Sequence, residues 1–359
     1  MRILFTGGGT LGPVTPLLAI AQELIDQKES TPNQMHWIGT PSGPERALIE
    51  SYGIPFSSVQ SGKLRRYFSY KNFVDPFFLM TGLIQSIIVL NRFKPDIVIG
   101  AGGYVQVPVI GAAWFLKKKS AVLQLDMVPG LANLMCVSMV DKILLSFPEQ
   151  AKDFPKVKTI LTGLPVRQEI RESKKCSDKK KKELGLEPAL PTVFITGGGT
   201  GAQALNQIVI DSLSRLMQHY NVVHVAGINK AVIAPTLGKH QSRYQQFEFL
   251  AERFADYVSA ADVVITRGGI GSLSEFACAQ KPMIVVPIPK SPQEKNAEYF
   301  ESKGGALWRH QDRYISQDLM SDIASILKPA RYKTMQHALE AIIPRDAASC
   351  IVAVLKSII

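Results

Sequence analysis

Arg2-Ile3-Leu4-Phe5-Thr6-Gly7-Gly8-Gly9-Thr10-Leu11-Gly12 opens the chain, and Thr192-Val193-Phe194-Ile195-Thr196-Gly197-Gly198-Gly199-Thr200-Gly201 repeats its plan in the second half. Each stretch is a short apolar run, a threonine, a triple glycine and a second threonine. The apolar run reads as a strand buried on both faces. Glycines directly after it let the backbone turn sharply and lie close to a bound group. A helical segment follows each turn, from about Pro16 and from Ala202. Proline suits a helix start because the amide hydrogen it lacks has no partner there anyway. Strand, glycine turn and helix open a doubly wound α/β sheet, and finding the unit twice points to two such domains.

The alternation continues through both halves. Strands are expected at residues 35–38, 54–57, 96–100, 120–124, 142–145 and 157–160, then at 221–225, 247–250, 263–266 and 283–286. Helices are expected at residues 44–50, 77–91, 107–115 and 131–137, then at 273–279, 294–302, 318–327 and 332–341. Such alternation builds a mostly parallel sheet covered on both faces. It pauses between Gly163 and Gly185, where Pro165 and a lysine run lie. The expected organisation is a first domain over 1–163, a linker over 164–185, and a second domain over 186–344. A last helix within 345–359, following Pro344, is expected to pack back on the first domain.

The 359 residues suit two domains, and 46% hydrophobic with 20% charged residues fits a globular chain and not a disordered one. A net charge of +11 suits phosphorylated substrates, anionic lipid or nucleic acid. Much of the excess sits in Lys174, Lys175 and Lys179 to Lys182, which read first as a solvated linker or helix start. No nucleic-acid-binding motif accompanies them, so no nucleic-acid partner is expected. Cysteines at 136, 176, 278 and 350 have no CxxC spacing, which argues against a zinc site or disulfide framework and for a reducing compartment. The N-terminus reads as a strand and not as a signal peptide. The apolar stretches near 77–90 and 105–116 are too short or too interrupted to span a membrane.

Two further stretches carry polar groups at strand ends. Arg267-Gly268-Gly269-Ile270-Gly271-Ser272-Leu273-Ser274-Glu275 follows the strand ending at Thr266. Small residues let a ligand lie on backbone, the serines offer hydroxyls, and a carboxylate at Glu275 can accept a pair of ribose hydroxyls. Glu275 equally suits a helix N-terminus on electrostatic grounds alone. In Pro287 to Ala297, Gln293 and Asn296 either hydrogen-bond a sugar or cap a helix. The first glycine turn lacks the lysine of a P-loop and has no acidic partner after the second strand, so on its own it is equally a structural turn. His224, at a strand end, reads as a satisfied core or rim histidine before it reads as catalytic.

With these motifs in this order, the chain resembles the MurG-type bacterial transferases of glycosyltransferase family 28. These add N-acetylglucosamine to the undecaprenyl-linked muramyl-pentapeptide precursor of peptidoglycan. The resemblance rests on residues 6–21, 94–108, 163–167, 196–206, 261–279 and 293–300. It implies the GT-B fold, with two Rossmann-like domains facing across a cleft, a UDP-N-acetylglucosamine donor on the C-terminal domain, and a polyprenyl-linked lipid acceptor on the N-terminal one. Carried over by position, Glu275 holds the ribose, Ile270 meets uracil through its backbone, Gly271 and Ser272 belong to the donor loop, and Gln293 reads the sugar. Gly199, where the family often has serine, lies by the phosphates with Thr200 and Gly201. Thr10, Gly12 and Arg167 complete the donor set. Gly9, Pro13, Tyr104, Asp126 and Asn133 fall on the acceptor side. Pro13 stands where the family carries histidine, and Leu123-Gln124-Leu125-Asp126 replaces its His-Glu-Gln-Asn run, so the acceptor side departs most.

Glycosyl transfer needs a base for the acceptor oxygen and a stabilised diphosphate leaving group. Asp126 is the candidate base, although an aspartate there equally caps a helix. Amides of the second glycine turn and the helix start at Ala202 suit the diphosphate, with Arg167 as an added cation. No ligand cluster calls for a metal, and no cofactor is expected beside the donor. Lys63 to Phe73 interleaves cations and aromatics, and Arg65, Arg66, Tyr67, Phe68, Lys71 and Phe73 are the candidate membrane patch. Phe77, Phe78 and Leu79, which follow, are either part of that patch or ordinary core. The expected setting is peripheral, on the cytoplasmic face of the cell membrane, as a monomer or weak dimer.

Overall fold

The apolar runs that open the two halves become the central strands of two separate parallel sheets. The computed structural model describes residues 1–62, 71–172, 176–198, 201–232, 238–250 and 253–359, with backbone alone at 71–76 and 238–239. The chain divides into one unit of Met1–Arg167 with Arg345–Ile359 and a second of Gln168–Pro344. From Gln168 onward, the stretch 164–185 therefore belongs to the second unit.

In the first unit the elements run β1 (Ile3–Thr6), α1 (Val14–Asp26), β2 (Met35–Gly39), α2 (Glu45–Ser51), β3 (Phe56–Ser58), α3 (Lys71–Phe93), β4 (Ile97–Gly100), α4 (Gln106–Phe115), β5 (Lys119–Gln124), α5 (Leu131–Cys136), β6 (Lys142–Leu145) and β7 (Thr159–Leu161). The sheet order is β3-β2-β1-β4-β5-β6-β7, all parallel. Side chains alternate across it. Leu4, Val98, Val122 and Ile143 go to the face covered by Leu90 of α3 and Val109 and Ile110 of α4. Each such fully buried side chain contributes on the order of 2 kcal/mol.

The second unit holds α6 (Gln168–Arg171), α7 (Asp178–Glu183), β8 (Thr192–Thr196), α8 (Gln203–His219), β9 (Asn221–Val225), β10 (Tyr244–Phe247), α9 (Phe254–Ala260), β11 (Val263–Thr266), α10 (Ile270–Cys278), β12 (Met283–Val285), α11 (Pro292–Ser302), β13 (Ala306–Trp308), α12 (Ser316–Ile326) and α13 (Pro329–Ile342). Its order, β10-β9-β8-β11-β12-β13, repeats the first six places of the other sheet. The final helix, α14 (Ala347–Ile358), returns to the first unit. Its buried Ala348, Ile351, Val352 and Leu355 form one stripe, and it packs on α1, where Ser349 Oγ–H donates to Glu23 Oε1 at 2.6 Å and Lys356 pairs with Glu29.

The expected elements are present with shifted ends, and β13, α6, α7 and α9 are additions. β10 ends at Phe247, where a strand over 247–250 was expected from Phe247, Phe249 and Leu250. Phe249 is exposed in the loop instead. The strand itself is an edge strand built from Tyr244, Gln245 and Gln246, which carry little apolar signal.

Candidate functional site

Open parallel sheets bind ligands beyond the carboxyl ends of their strands, where the strand order reverses. That point lies between β1 and β4 in the first unit and between β8 and β11 in the second.

At the first, Trp37 Nε1–H donates to Gly7 O at 2.9 Å, and Gly9 N–H is shared between the two oxygens of Glu45 at 3.3 Å each. Glu45 is fully buried at the start of α2 and also accepts from Thr40 N–H at 2.8 Å and Thr40 Oγ1–H at 2.6 Å. The turn after β1 is thus tied to the loop after β2. Gly103, at φ +79°, lies against it: a Cβ there would stand 2.5 Å from Gly8 O. Thr10 is exposed, while Gly12, Pro13 and Tyr104 are half-buried near these turns.

A chain of amides runs along the same edge. Gly102 N–H donates to Gln106 Oε1 at 2.7 Å, Gln106 Nε2 donates to Asn133 Oδ1, and Asn133 Nδ2 donates to Gln124 Oε1 at 2.8 Å. Gln124 Nε2 in turn donates to Asp126 O at 2.6 Å. Asp126 is half-buried in the loop between β5 and α5. Asn133 is buried with its side-chain amide engaged within the fold. Leu123 is fully buried, so the place of the expected family histidine is filled by core.

At the second switch point, Gly198 N–H donates to Thr196 Oγ1 at 3.1 Å and Gly201 N–H to Gly198 O at 3.0 Å. Gly201, at φ +67°, presses on Ala226 O, leaving no room for a Cβ. Gly199 and Thr200 lie outside the described residues. Ser272, in the first turn of α10, brings its Oγ to 4.0 Å from where a Cβ on Gly198 would be. Ile270, Gly271 and Glu275 are buried in the same helix. Ser274 is committed to its own helix, with Oγ–H donating to Ile270 O at 2.8 Å.

The loop between β11 and α10 is fixed to the loop after β12 and the start of α11. Asn296 Nδ2 donates to Gly268 O at 2.9 Å, and Gln293 Oε1 accepts from Ile288 N–H at 3.1 Å. Gln293 N–H is capped by Ser291 Oγ at 3.3 Å. Arg267 is buried, with Nη1 donating to Val286 O at 2.9 Å, and burial pulls its guanidinium pKa down. Asn296 and Arg267 therefore lock two loops together. Nothing in the sequence separates that role from ligand binding, except that Arg267 directly follows a strand buried along its whole length.

His224 is buried and held on both ring nitrogens, Nε2 at 3.0 Å from Asn206 Oδ1 and Nδ1 at 3.0 Å from Tyr244 Oη. Burial lowers its pKa to about 4, so it is neutral and structural. Part of the lysine run is absorbed by its own unit: Lys180 pairs with Asp256 at 2.9 Å and Lys181 with Asp262 at 3.5 Å. Arg167 is the last residue of the first unit and is half-buried. Among the described residues, no group of three or more His, Cys, Asp or Glu is placed to hold a metal ion. Of the membrane patch, Arg65, Arg66, Tyr67 and Phe68 lie outside the described residues, as do the side chains of Lys71 and Phe73.

Residues 3–145 match the N-terminal domain of glycosyltransferase family 28, and residues 192–349 match its C-terminal domain. The chain is 36% identical over 329 residues to the UDP-N-acetylglucosamine--N-acetylmuramyl-(pentapeptide) pyrophosphoryl-undecaprenol N-acetylglucosamine transferase 2 of Bacillus cereus (strain ATCC 10987 / NRS 248), across 90% of this chain and 91% of that one.

The chain belongs to glycosyltransferase family 28.

It is a glycosyltransferase of GT-B architecture, with two Rossmann-like, doubly wound domains. The crystal structure of Acinetobacter baumannii MurG superposes over 99% of both chains with a TM-score of 0.71 at 22% identity. A UDP-N-acetylglucosamine 2-epimerase shares the fold over 99% of this chain and 95% of its own, with a TM-score of 0.69 at 13% identity. The family resemblance read from the sequence holds, and the family match spans both glycine turns.

Proposed function

We propose that this transferase moves N-acetylglucosamine from UDP-N-acetylglucosamine to the undecaprenyl-pyrophosphoryl N-acetylmuramyl-pentapeptide, forming the disaccharide-linked lipid of peptidoglycan synthesis. The Bacillus relative carries that activity in its name, and the donor loop supports the reading most directly. Ser272 stands beside Gly198, and Glu275 lies buried in the next turn of α10. In this arrangement the Glu275 carboxylate takes the ribose hydroxyls. The second glycine turn and the start of α8 take the diphosphate, whose developing charge the free amides of a helix start stabilise. Gln293 Nε2 is the sugar-facing donor, since its Oε1 is used by Ile288.

On the first unit, Asp126 takes the proton of the acceptor hydroxyl as that oxygen attacks the anomeric carbon, and a single displacement inverts its configuration. The membrane face is the outer side of α3 and α4. Phe77, Met80, Ile84 and Ile88 follow one helical stripe and are 75%, 57%, 56% and 55% exposed. Trp114 and Phe115 are also exposed, next to Lys117, Lys118 and Lys119. Leu79 packs on the core, whereas Phe77 and Phe78 do not. Among the described residues no helix is long and apolar enough to cross a membrane.

The test supplies radiolabelled UDP-N-acetylglucosamine with the polyprenyl-diphosphate muramyl-pentapeptide, and separately with other polyprenyl-linked sugars. Transfer to the first with inversion is the expected result. Transfer only to another acceptor moves the activity within the family, and binding of UDP without transfer to any acceptor rejects catalysis.

A further inference from the structure

The acceptor-side loop is held by a buried side chain that no motif pointed to. Gln150 follows β6, is fully buried and uses its whole hydrogen-bonding capacity. Its Oε1 accepts from Ser146 N–H at 2.9 Å and Phe147 N–H at 3.0 Å. Its Nε2 donates to Leu125 O and Asp126 O, both at 3.0 Å. Gln124 reaches the same Asp126 carbonyl at 2.6 Å, and Ser146 Oγ–H donates to Gln124 O at 2.6 Å. The Asp126 peptide is therefore gripped by two amide side chains from neighbouring strand ends.

We propose that Gln124 and Gln150 are the positioning residues of the transfer reaction: their paired amides on the Asp126 carbonyl set where the Asp126 carboxylate stands. This rests on Asp126 being the base. Every side chain in the grip is a neutral amide or hydroxyl, so its geometry does not change with pH. That matters at Gln124, where the family resemblance expects a glutamate. A carboxylate there would face Asp126 O with no hydrogen to give. The chain thus keeps the loop in one place by amide geometry alone, without a titrating link. A base held about 1 Å out of place costs on the order of 100-fold in rate.

Gln150→Glu and Gln124→Glu test this. Each conserves shape and keeps the accepting oxygen but turns the donor amide into a second oxygen facing carbonyls. We expect kcat to fall about 100-fold at pH 8, while KM for UDP-N-acetylglucosamine and calorimetric UDP affinity stay within about twofold. Activity should partly return as pH falls, because a protonated carboxyl donates to the carbonyl again. Wild-type kcat at pH 8 in both variants overturns the inference. So does a pH-independent loss in which UDP affinity and thermal midpoint fall in step, since that is general damage. Asp126→Asn separates the two readings. If it turns over normally while Gln150→Glu is slow, the base assignment falls and the grip stands, serving another group of the loop. If it is slow while both amide variants are fast, the grip falls and the base stands.

Discussion

Replacing Glu45 by glutamine perturbs the first glycine turn at one atom. In the native side chain Oε1 accepts both Thr40 N–H and Thr40 Oγ1–H, and Gly9 N–H is shared between Oε1 and Oε2. A glutamine can keep its oxygen on Thr40, but its amide nitrogen then faces the Gly9 N–H, donor to donor. The loss is one arm of the shared Gly9 bond together with the charge on the acceptor that serves all three donors, about 1.5–3 kcal/mol. Glu45→Ala removes the acceptor of all three donors, which are part-buried, and should cost about 1–3 kcal/mol for each donor left unsatisfied. The assay is amide hydrogen exchange by mass spectrometry on peptides covering residues 4–15 and 36–50. About 2 kcal/mol corresponds to exchange roughly 30-fold faster in both peptides of Glu45→Gln. Peptides of the second unit and UDP affinity should be unchanged. Exchange within about twofold of wild type in both peptides would refute the idea that this carboxylate holds the turn.

Glu275→Ala should weaken UDP binding by about 2–5 kcal/mol in calorimetry with the melting profile retained; unchanged affinity removes Glu275 from the ribose. The triple change Phe77→Asp, Met80→Glu, Ile84→Glu should abolish co-sedimentation with anionic vesicles, at roughly 1–2 kcal/mol per side chain, and leave UDP affinity alone; equal sedimentation rejects the α3 stripe as the docking face. His224 has a depressed folded pKa, so its contribution is present above the unfolded value of about 6.5 and lost as pH falls toward 4. Wild type should lose about 3 kcal/mol across that window relative to His224→Gln, measured by urea denaturation at each pH; parallel curves would show that the histidine is not buried neutral.

The glycine turns and the strands that feed them were legible because both are local. β8 and β11 are each a continuous apolar run at the centre of a sheet. β10 was misplaced because an edge strand needs few apolar residues, and those beside it lie in a loop. The pairing of α14 with α1 depends on contacts across more than 300 residues, such as Ser349 with Glu23, and only Pro344 hinted at it. Glu45, Gln106, Gln150 and Arg267 were invisible for another reason. Glutamine, glutamate and arginine are surface residues by default, and only the folded chain reveals that Glu45 and Gln150 hold backbone groups, that Gln106 bridges Gly102 N–H and Asn133, and that Arg267 Nη1 donates to Val286 O. Conversely, Ser274, Asn296 and Asn133 looked available for ligands and are engaged inside the fold.

The two glycine turns share a sequence device and differ in electrostatics, which bears on which of them takes the diphosphate. In the first, the Gly9 amide already points at a buried carboxylate. An anion bound about 6 Å from that charge would meet roughly 3 kcal/mol of repulsion per unit charge at an effective dielectric of about 20. In the second, the described amides are satisfied by neutral groups, Thr196 Oγ1 and Gly198 O, and the turn leads into the 17-residue helix α8. A helix start adds about half a positive charge at each turn, because α1 follows the first as α8 follows the second, so the Glu45 carboxylate alone makes the difference. The difference favours the second turn by several kcal/mol for a doubly charged group. If the diphosphate binds the second turn as proposed, a Glu45→Ala chain that still folds should not gain UDP affinity, because that charge does not stand at the second turn. A gain of tenfold or more would mean that the first turn is a latent diphosphate site held closed by Glu45.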